Sequence, residues 1–449
     1  MTPSRESSST GSATPARTQQ RRGTRLDSYV DRYAERTQGM TASAIRALFA
    51  VANRPEVVSL AGGMPNIGDL PLPNIAEGME RMIRDHGPQV MQYGSGQGEP
   101  FIREHICTVM KLEGIDAHPD DVTVTCGSQQ ALDLVTRLFC DPGDPVVVEA
   151  PSYVGALGTF RAYQCDVRHA AMDDDGLEPN ALRATLQQLA SEGKRAKFLY
   201  TIPNFQNPTG LQQSLQRRQE ILAIAEEFDL LVIEDNPYGM LSFEADPLPA
   251  MRSLDHDRVI YLGSFSKTFA PGFRVGWALA PHAVREKLVL AQESATLCPP
   301  VFSQYAIANY LENNDWRGQI EVFKSMYVER RDALLSGLKE YMPPGCEWNT
   351  PRGGFFVWMQ VPEGLDTQAM LPRAVTARVA FVPGTGFYAD GLGSRYMRLS
   401  YCFPTAERIV EGTRRLGEVL TREAEMLNTF GIEGRRLPPD HGFPGPETN

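Results

Sequence analysis

The sequence predicts an α/β protein whose large domain has a mostly parallel sheet covered by helices on both faces, followed by a smaller α+β domain. Short runs of β-branched and apolar residues alternate with helical stretches between about residues 76 and 300. Continuously apolar strands of this kind are typical of a parallel sheet that is buried on both faces. Polar residues, glycine and proline cluster where these runs end, which is the edge where ligands bind in such sheets.

Length and composition limit the class of protein. The chain has 449 residues, 42% of them hydrophobic, which is enough for two domains with sizeable cores. A net charge of −11 argues against nucleic acid as the main partner, because that partner needs a basic face. No run of about 18 apolar residues and no apolar secretory core occur, so we expect no membrane span and a cytoplasmic protein. The seven cysteines show neither CxxC nor Cys/His spacing, so no metal site is expected.

Both ends of the chain have the composition of tails. Residues 1–24 are rich in Ser, Thr, Arg and Pro with a single acid, and they cannot bury enough apolar surface to order themselves. A mitochondrial transit peptide has a similar composition, but this segment is not clearly amphipathic. The stretch 431–449 carries four prolines and is predicted to be a loose tail.

Three parts are predicted between the tails. Residues 25–75 carry apolar residues at helical spacing, then a glycine-rich irregular arm. Residues 76–300 form the predicted large domain, with strands at 122–125, 146–148, 198–202, 230–233 and 259–262. Residues 301–430 form the predicted small domain, which begins with a long helical region from Tyr305 to Tyr341 and contains a strand within 353–359.

One lysine differs from the rest in its surroundings. Lys267 follows the apolar run 259–262 and lies among Ser264, Ser266 and Arg274. A lysine delivered from a buried strand is partly desolvated, which favours the neutral amine that imine formation needs. The other six lysines lie in charged or helical stretches typical of a solvated surface. A plain loop lysine after a strand is the alternative interpretation.

Three further strand ends carry polar residues. Ser128 and Gln129 open a helix after the run 122–125, and free N–H groups there suit a phosphate, although an ordinary N-cap explains Ser128 equally well. Asn207 lies in a turn fixed by two prolines and a glycine after the run 198–202. Asp235 follows the run 230–233, where a carboxylate that only caps a turn is the simpler interpretation.

Taken together, these motifs resemble fold-type I pyridoxal-phosphate enzymes, specifically the class I/II aminotransferases. The motifs GSQQALDL, APSYVGA, FQNPTG, EDNPYG, YLGSFSKTFAPGFRVGW and MRLSY occur in the order of that family. The stretches SLAGGMPN and TASAIRALF are similar to the 2-aminoadipate and aromatic (kynurenine/aminoadipate) group. The resemblance implies pyridoxal 5'-phosphate as cofactor. It also implies transfer of an amino group from an L-amino acid of aminoadipate, aromatic or branched-chain type to 2-oxoglutarate by a ping-pong mechanism.

The resemblance implies a role for each site residue. Lys267 would hold the cofactor and shuttle a proton, and Asp235 would pair with the ring nitrogen. Asn207 and Tyr238 would hydrogen-bond the ring oxygen, and Tyr153 would stack on the ring. The implied phosphate ligands are Ser128, Gln129, Ser264, Ser266, Arg274 and, from the neighbouring subunit of a homodimer, Tyr93.

The substrate is implied to meet a second group of residues. Arg398 matches the arginine that clamps the α-carboxylate, and a surface salt bridge is the alternative for it. Gly62 and Gly63 would let the backbone approach the substrate closely. Arg46 aligns with a helix arginine that meets a distal carboxylate in aminoadipate-processing relatives. Helix surfaces carry many arginines, so its role stays open.

Two departures and two competing functions complete the sequence prediction. Asn236 stands where the family often has a second aspartate, and the stretch 297–300 differs from the polar residues of some relatives near the substrate pocket.

A regulator with a fused DNA-binding domain is excluded, because it needs about 60 to 80 ordered basic residues ahead of the arm. A different reaction with the same cofactor, catalysed by a lyase, decarboxylase or cyclase, stays open.

Overall fold

The structure, a computed structural model of the chain, describes residues 28–30, 32–40 and 54–430. Both predicted tails lie outside the described residues, and so do Arg46 and most of the predicted helix between residues 26 and 51. The described part of that region includes a 3₁₀ helix over Glu35–Gly39. The boundaries of the predicted domains stay predictions.

The elements of the described part follow in chain order. Its helices are α1 (Leu72–Val90), α2 (Pro100–Met110), α3 (Ser128–Phe139), α4 (Val154–Ala162), α5 (Pro179–Ser191), α6 (Leu215–Glu227), α7 (Met251–Leu254), α8 (His282–Thr296), α9 (Val301–Asn313), α10 (Trp316–Tyr341), α11 (Thr367–Thr376) and α12 (Ala406–Phe430). Its strands are β1 (Val58–Ser59), β2 (Val122–Thr125), β3 (Pro145–Ala150), β4 (Asp166–Asp173), β5 (Gly176–Leu177), β6 (Phe198–Thr201), β7 (Leu231–Asp235), β8 (Val259–Ser264), β9 (Gly276–Leu279), β10 (Glu347–Trp348), β11 (Phe356–Gln360), β12 (Val379–Ala380), β13 (Val382–Pro383) and β14 (Tyr396–Ser400).

The large sheet has eight strands in the order β2-β9-β8-β7-β6-β3-β4-β5. Its five central strands, from β8 to β4, are parallel to one another. Strand β9 runs antiparallel between β8 and β2, so β2 points the same way as the central strands. The predicted mostly parallel sheet is therefore confirmed, and the carboxyl ends of β2, β6, β7 and β8 meet at one edge.

Alternate residues of the central strands pack against helices on opposite sides of the sheet. On one face, Val148, Tyr200 and Ile233 share a core with α3, α4 and α8. On the other face, Val147 and Leu199 share a second core with α5 and α6. Successive side chains of a strand point to opposite faces, so both layers need apolar residues. This explains why the predicted strands are continuous apolar runs.

The smaller sheet is antiparallel, with the order β10-β11-β14-β13. Helices α10 and α12 cover it, and Leu334 and Leu416 lie in the same core as Val357 of β11. The smaller α+β unit is therefore confirmed. The arm reaches this unit, because β1 pairs in parallel with β12 and Ser400 N donates to Leu60 O (2.7 Å).

Two predicted elements differ in extent from the structure. The helical region predicted from 305 to 341 is divided into α9 and α10, because Asp315 caps α10 through a hydrogen bond from Gly318 N (3.0 Å). The strand predicted within 353–359 begins only at Phe356, since Gly354 has a φ of +67° that a strand does not allow. The helices within residues 28–30, 32–40 and 54–430 lack the length and the apolar composition that a membrane span requires.

A glycine in β9 allows the sheet to meet the start of α3. Gly276 pairs with Thr125 on one side and Ser264 on the other. A Cβ at Gly276 would lie 2.5 Å from Ser128 N, a backbone atom that cannot swing away. The close approach of strand and helix therefore depends on the missing side chain.

Gly276→Ala is expected to lower the melting temperature, because overpacking of this kind costs about 1–3 kcal/mol. Gly158→Ala is the matched control. It lies in α4, and a Cβ there would meet no atom within 4 Å. Alanine in a helix is favoured over glycine by about 1 kcal/mol, so this variant should melt at the same or a higher temperature. Calorimetry of both variants tests the pair, and an unchanged melting temperature for Gly276→Ala would contradict it.

Candidate active site

A cavity of about 420 Å³ lies at the carboxyl edge of the large sheet, between that sheet and the arm. It collects residues that are far apart in the sequence but follow neighbouring strands. The predicted site residues that line it are Gly63, Ser128, Gln129, Tyr153, Asn207, Asp235, Tyr238, Ser264, Ser266, Lys267, Arg274 and Arg398. A volume of this size is typical of a small-molecule site.

Lys267 is half-buried just beyond β8, and its Nζ donates a hydrogen bond to Gly63 O (2.7 Å). Burial lowers the pKa of Lys267 from 10.5 to about 8. The Cys402 thiol opposes this shift, whereas the positive charges of Arg398 and Arg274 lower the pKa of the lysine further. Lys267 is therefore not a solvated loop lysine, and a sizeable fraction of its amine is neutral near pH 8.

Asp235 ends β7 and is buried. Its Oδ2 accepts a hydrogen bond from the Tyr200 hydroxyl (2.7 Å), whereas its Oδ1 is buried with no hydrogen-bond partner in the described part of the chain. Burial raises the pKa of Asp235 to about 6, although the Tyr200 hydrogen bond acts against that rise. A buried acceptor without a donor is rare in proteins, so Oδ1 marks a place for a ligand donor.

The start of α3 and the segment around Arg274 form an anion cradle. Helix α3 begins at Ser128 after Gly127, which has a φ of +76°, and no side chain caps it. The N-cap interpretation of Ser128 is therefore wrong, and the first N–H groups of the helix are free for a ligand. Arg274 Nη2 donates to Cys126 O (3.0 Å), which places its guanidinium beside this helix end.

Two serines complete the cradle. Ser264 Oγ donates to Ser266 Oγ (2.9 Å), and Arg274 Nη1 lies 3.4 Å from Ser266 Oγ. The side chain of Gln129 turns away, because its Nε2 donates to Thr159 Oγ1 (2.8 Å) on α4. Gln129 therefore offers an anion its backbone N–H and not its amide.

Arg398 lies in β14 with 3% of its surface exposed. Its Nη1 donates to Asn207 Oδ1 (2.8 Å) and its Nη2 to Ala61 O (2.7 Å). The Phe356 and Phe387 rings lie 4.2 Å and 5.2 Å from its guanidinium carbon. It forms no salt bridge with a described carboxylate, so the surface salt-bridge interpretation is wrong. Burial lowers the pKa of Arg398 to about 10, which is a sign of an unpaired buried cation.

The two tyrosines predicted near the cofactor ring also line the cavity. Tyr238 is buried, with its ring at 5.3 Å and 6.0 Å from the centroids of Phe355 and Phe356. Burial raises the pKa of both Tyr238 and Tyr153, so both phenols stay protonated at neutral pH. A protonated phenol can donate a hydrogen bond to a ligand oxygen.

Three predicted residues do not line the cavity. Gly62 lies next to it, and its carbonyl oxygen is 3.6 Å from the Cys402 Sγ. Tyr93 is 75% exposed on the protein surface. Arg46 lies outside the described residues, so its role stays a prediction.

Sequence reasoning missed several residues of the site. Tyr200 was predicted only as part of a strand, although a buried tyrosine usually needs a hydroxyl partner, and this rule was a usable signal. Phe356, Phe387 and Cys402 carried no such signal, because their contacts with the site residues join segments that are not adjacent in the sequence. Among the described residues, no group of three or more His, Cys, Asp or Glu side chains could hold a metal ion.

A second cavity of about 550 Å³ is lined in part by the turn 209–212. Its walls include Trp348, Trp358 and Tyr396, and its lining contains no lysine. It therefore offers no amine for covalent chemistry. A third cavity of about 730 Å³ contains Lys194 and Lys197, but Lys194 Nζ pairs with Asp166 (2.8 Å) and Lys197 Nζ with Asp144 (3.1 Å), so the cavity around Lys267 is the candidate active site.

The candidate site combines an amine of lowered pKa, an isolated buried carboxylate, an anion cradle and an arginine enclosed by rings. A phosphorylated aldehyde with a nitrogen-containing aromatic ring matches the first three groups. Its aldehyde can react with the amine, its protonated ring nitrogen can donate to the carboxylate, and its phosphate can bind in the anion cradle. The enclosed arginine can bind the carboxylate of a second small molecule in bidentate geometry.

Comparisons with known proteins agree with this chemistry. The family described as aminotransferase class I and II matches residues 55–416. The aromatic-amino-acid aminotransferase 1 of Thermococcus litoralis is 41% identical over 398 residues, which cover 88% of this chain and 95% of that protein. The described fold is similar to the crystal structure of Pyrococcus horikoshii kynurenine aminotransferase with PMP, at a TM-score of 0.83 and 38% identity, covering 87% of this chain and 97% of that one.

A second similar structure contains a cofactor adduct. The alpha-aminoadipate aminotransferase of Thermus thermophilus, complexed with N-(5'-phosphopyridoxyl)-L-leucine, has a TM-score of 0.82 and 35% identity. The match covers 89% of this chain and 100% of that one.

The Lys267 amine is expected to react with acetic anhydride in the cofactor-free protein with a midpoint near pH 8, since its pKa is about 8. Mass spectrometry of the labelled peptide measures this midpoint. Arg398→Met removes a positive charge that lowers the lysine pKa, so the midpoint should move to higher pH.

Arg195→Met is the control, because Arg195 is exposed and pairs with Asp229 away from the cavity. This variant should leave the midpoint unchanged. A midpoint of the wild-type protein near pH 10.5, or no shift in Arg398→Met, would contradict the electrostatic account of the lysine.

Proposed function

The chain belongs to the class I and II aminotransferases, and we propose that it moves the amino group of an L-amino acid to 2-oxoglutarate by a ping-pong mechanism. It is a pyridoxal-phosphate-dependent aminotransferase, as its relatives are. The observation that carries the finer proposal is one cavity that holds Lys267, Asp235, the anion cradle and Arg398. Because the relatives are aminotransferases, a lyase, decarboxylase or cyclase reaction is not favoured.

The residues of the cavity fit pyridoxal phosphate. The unpartnered Oδ1 of Asp235 offers an acceptor for a protonated ring nitrogen, and no other donor in the described residues satisfies it. We propose that Asp235 keeps this nitrogen protonated. When bound, the cofactor supplies an aldehyde for amine exchange and a ring that takes up the electron pair of the broken Cα–H bond.

The anion cradle suits the phosphate of the cofactor. We propose that the phosphate is bound by the backbone N–H groups of Ser128 and Gln129, by Ser264 and Ser266, and by Arg274. A helix start carries partial positive charge, and the arginine fork can bind two phosphate oxygens. The cradle and Asp235 line the same cavity, so these residues would hold the cofactor at both ends.

Lys267 is proposed as both the anchor and the base. Its pKa of about 8 leaves enough neutral amine near neutral pH for covalent attachment of the cofactor. When the substrate amine occupies the cofactor, Lys267 Nζ would be free to move a proton between the Cα of the substrate and C4′ of the cofactor. A base is most effective when its pKa lies near the working pH.

Arg398 is proposed to bind the α-carboxylate of the amino acid and of the 2-oxo acid. Its two Nη atoms are held by Asn207 and Ala61, which fix the plane of the guanidinium. A fixed bidentate clamp orients the substrate so that its Cα–H bond can stand perpendicular to the cofactor ring. Because both half-reactions use an α-carboxylate, one arginine serves both.

The neighbours of the ring receive the remaining roles. We propose that Tyr153 stacks on the ring and that Asn207 and Tyr238 hydrogen-bond the ring oxygen. The side-chain amide of Asn207 and the protonated phenol of Tyr238 can each donate such a bond. Gly62 and Gly63 let the backbone lie close to the substrate. A Cβ at Gly63 would lie 3.2 Å from the Phe356 ring, so a side chain there would crowd the cavity.

The donor amino acid is proposed to be of aromatic, branched-chain or aminoadipate type. The described cations that line the cavity are Lys267, Arg274 and Arg398, and each already has a role. A distal carboxylate therefore needs a cation from elsewhere, and Arg46 is the candidate. The names of the relatives support this range, since they include an aromatic-amino-acid and an alpha-aminoadipate aminotransferase.

The working unit is proposed to be a homodimer with shared active sites, in the cytoplasm. Tyr93 is exposed beside Met91, and Leu297 and Phe302 are also exposed at the facing ends of α8 and α9. Helix α8 adjoins the Tyr93 loop, since Gln292 Nε2 donates to Gly96 O (2.6 Å). Exposed apolar surface of this kind suits a second copy of the chain.

The proposed reaction predicts formation of glutamate from 2-oxoglutarate. The cofactor-loaded protein should produce it with at least one donor among aminoadipate, kynurenine, phenylalanine, tyrosine and leucine, measured by chromatography. Lys267→Ala should form none. Arg46→Met should lose activity with aminoadipate but keep it with phenylalanine, because only the former has a distal carboxylate. Absence of glutamate with every donor would contradict the proposed reaction.

Hybrid dimers test whether Tyr93 acts across the subunit interface. Tyr93→Ala and Lys267→Ala are each expected to be impaired, but a hybrid has one site with both residues intact. An equal mixture should regain activity in roughly a quarter of its sites after subunit exchange. A mixture of Asp235→Ala with Lys267→Ala is the control, because both residues belong to one site. Equal recovery in both mixtures, or no recovery in either, would contradict the shared site.

A further inference from the structure

Behind the cofactor-facing residues, the large sheet carries a buried chain of polar side chains. Arg218 Nη2 donates to Asn204 Oδ1 (2.5 Å), and Asn204 Nδ2 donates to Asn236 Oδ1 (3.0 Å). Asn236 Nδ2 donates to Glu113 Oε1 (2.5 Å), and the Tyr261 hydroxyl donates to Glu113 Oε2 (2.6 Å). We call Arg218, Asn204, Asn236 and Glu113 the amide relay.

The relay connects a buried arginine to a buried carboxyl group that the arginine does not touch. Arg218, Asn204, Asn236 and Glu113 are at most 5% exposed. The remaining Arg218 nitrogens donate to backbone carbonyls, including Pro249 O (2.8 Å). The arginine therefore has no direct carboxylate partner among the described residues, and the two amides carry the interaction to Glu113.

The groups at the two ends of the relay fix the orientation of both amides. Arg218 can only donate, so Asn204 must turn its oxygen toward it, and an ionised Glu113 can only accept, so Asn236 must turn its nitrogen toward it. Each amide then accepts a hydrogen bond from the member before it and donates one to the member after it. Buried hydrogen bonds aligned in this way strengthen one another.

Asn236 sits at the point where the relay meets the active site. It follows Asp235 directly and precedes Tyr238 by two residues. The relay side chain and the two site residues are thus on one short segment at the end of β7. Asn236 N also donates to Leu262 O (2.9 Å), which ties the segment to the end of β8.

Another buried acid lies near Glu113, and its charge disfavours a further carboxylate in the relay. Glu234, one residue before Asp235, accepts from the backbone N–H groups of Met251 and Arg252 (2.9 and 2.8 Å). Burial raises the pKa of Glu113 to about 7, the charge of Glu234 raises it further, and Tyr261, Asn236 and Arg218 lower it. A further carboxylate beside Glu113 would therefore lack a cation to balance it.

We propose that Asn236 is a positioning residue, which through Glu113 holds Asp235 and Tyr238 in place for the cofactor. This inference rests on the proposed roles of those two residues. The amide is needed at position 236 because its neighbour Glu113 is a carboxylate, and an aspartate there would place two acceptors against each other.

A swap of acid and amide between the two positions tests the relay. In Asn236→Asp, the new carboxylate faces Glu113, and two carboxylates at hydrogen-bond distance cannot both be ionised. The dissociation constant for pyridoxal phosphate should rise about tenfold, measured by fluorescence titration of the cofactor-free protein. In Glu113→Gln, the relay loses its terminal charge, and affinity should also fall.

The double variant Asn236→Asp/Glu113→Gln restores the sequence of donors and acceptors. The glutamine introduced at position 113 would donate to the new carboxylate and still accept from the Tyr261 hydroxyl, with the negative charge moved by one side chain. The affinity of the double variant for the cofactor should return to within about threefold of wild type and exceed that of both single variants. A residue that only fills space would not be rescued by a second substitution.

Asn349→Asp provides the matched control. Asn349 is a partly buried amide that donates to Thr209 O (2.6 Å) and does not belong to the relay. Adding Glu113→Gln to the Asn349→Asp variant should lower its affinity for pyridoxal phosphate further and should not restore that affinity.

Wild-type affinity in Asn236→Asp, or a double variant that binds no better than Glu113→Gln, would overturn the inference. If Asn236→Asp alone does not fold, the comparison of Glu113→Gln with the double variant still decides. The titration needs no acceptor substrate. A wild-type protein that binds the cofactor but forms no glutamate would therefore refute the reaction and leave the relay open to the same test.

Discussion

Burial at the carboxyl edge of the large sheet is the physical constraint on which the site depends. The same exclusion of water acts in opposite directions on an amine and on an acid, because it disfavours the charged form of each. It lowers the pKa of Lys267 to about 8 and raises that of Asp235 to about 6. The lysine thereby gains neutral amine, while the aspartate remains largely ionised at neutral pH. In one cavity, the proposed base and the proposed partner of the ring nitrogen thus have the protonation states that transfer of an amino group needs.

Successive residues of a strand point to opposite faces of the sheet, so the two faces carry different sets of polar side chains. Tyr200 and Asp235 meet on the face of the cofactor cavity, and the residues next to them, Thr201 and Glu234, point to the opposite face. Asn236 and Glu113 extend that second polar layer behind the site. Buried polar groups are costly unless each has a partner, and here the partners also fix the segments that carry the site residues. Stability and positioning therefore use the same hydrogen bonds.

The sequence predicted the strands of the large sheet because a short, continuously apolar run between two helices is typical of a strand buried on both faces. It also predicted the positions of Lys267, Asp235 and Arg398, and the structure brings these three into one cavity. It did not predict that Phe387 packs against Arg398 or that Glu113 bonds to Asn236. Those contacts join segments more than a hundred residues apart or depend on the packing of loops, and no local pattern encodes them. The boundary between α9 and α10 was missed because a single capping aspartate breaks an otherwise continuous helical pattern.

Buried Asp235 is proposed to keep the ring nitrogen of the cofactor protonated, and the chemistry of the site depends most on that charge. Nitrogen-15 NMR of the protein loaded with ring-labelled pyridoxal phosphate measures this directly through the chemical shift of the ring nitrogen. We expect a protonated nitrogen in the wild-type protein at pH 7 and an unprotonated one in Asp235→Asn, because only the carboxylate stabilises the positive charge. An unprotonated ring nitrogen in the wild-type protein, with the cofactor bound, would refute this role of Asp235.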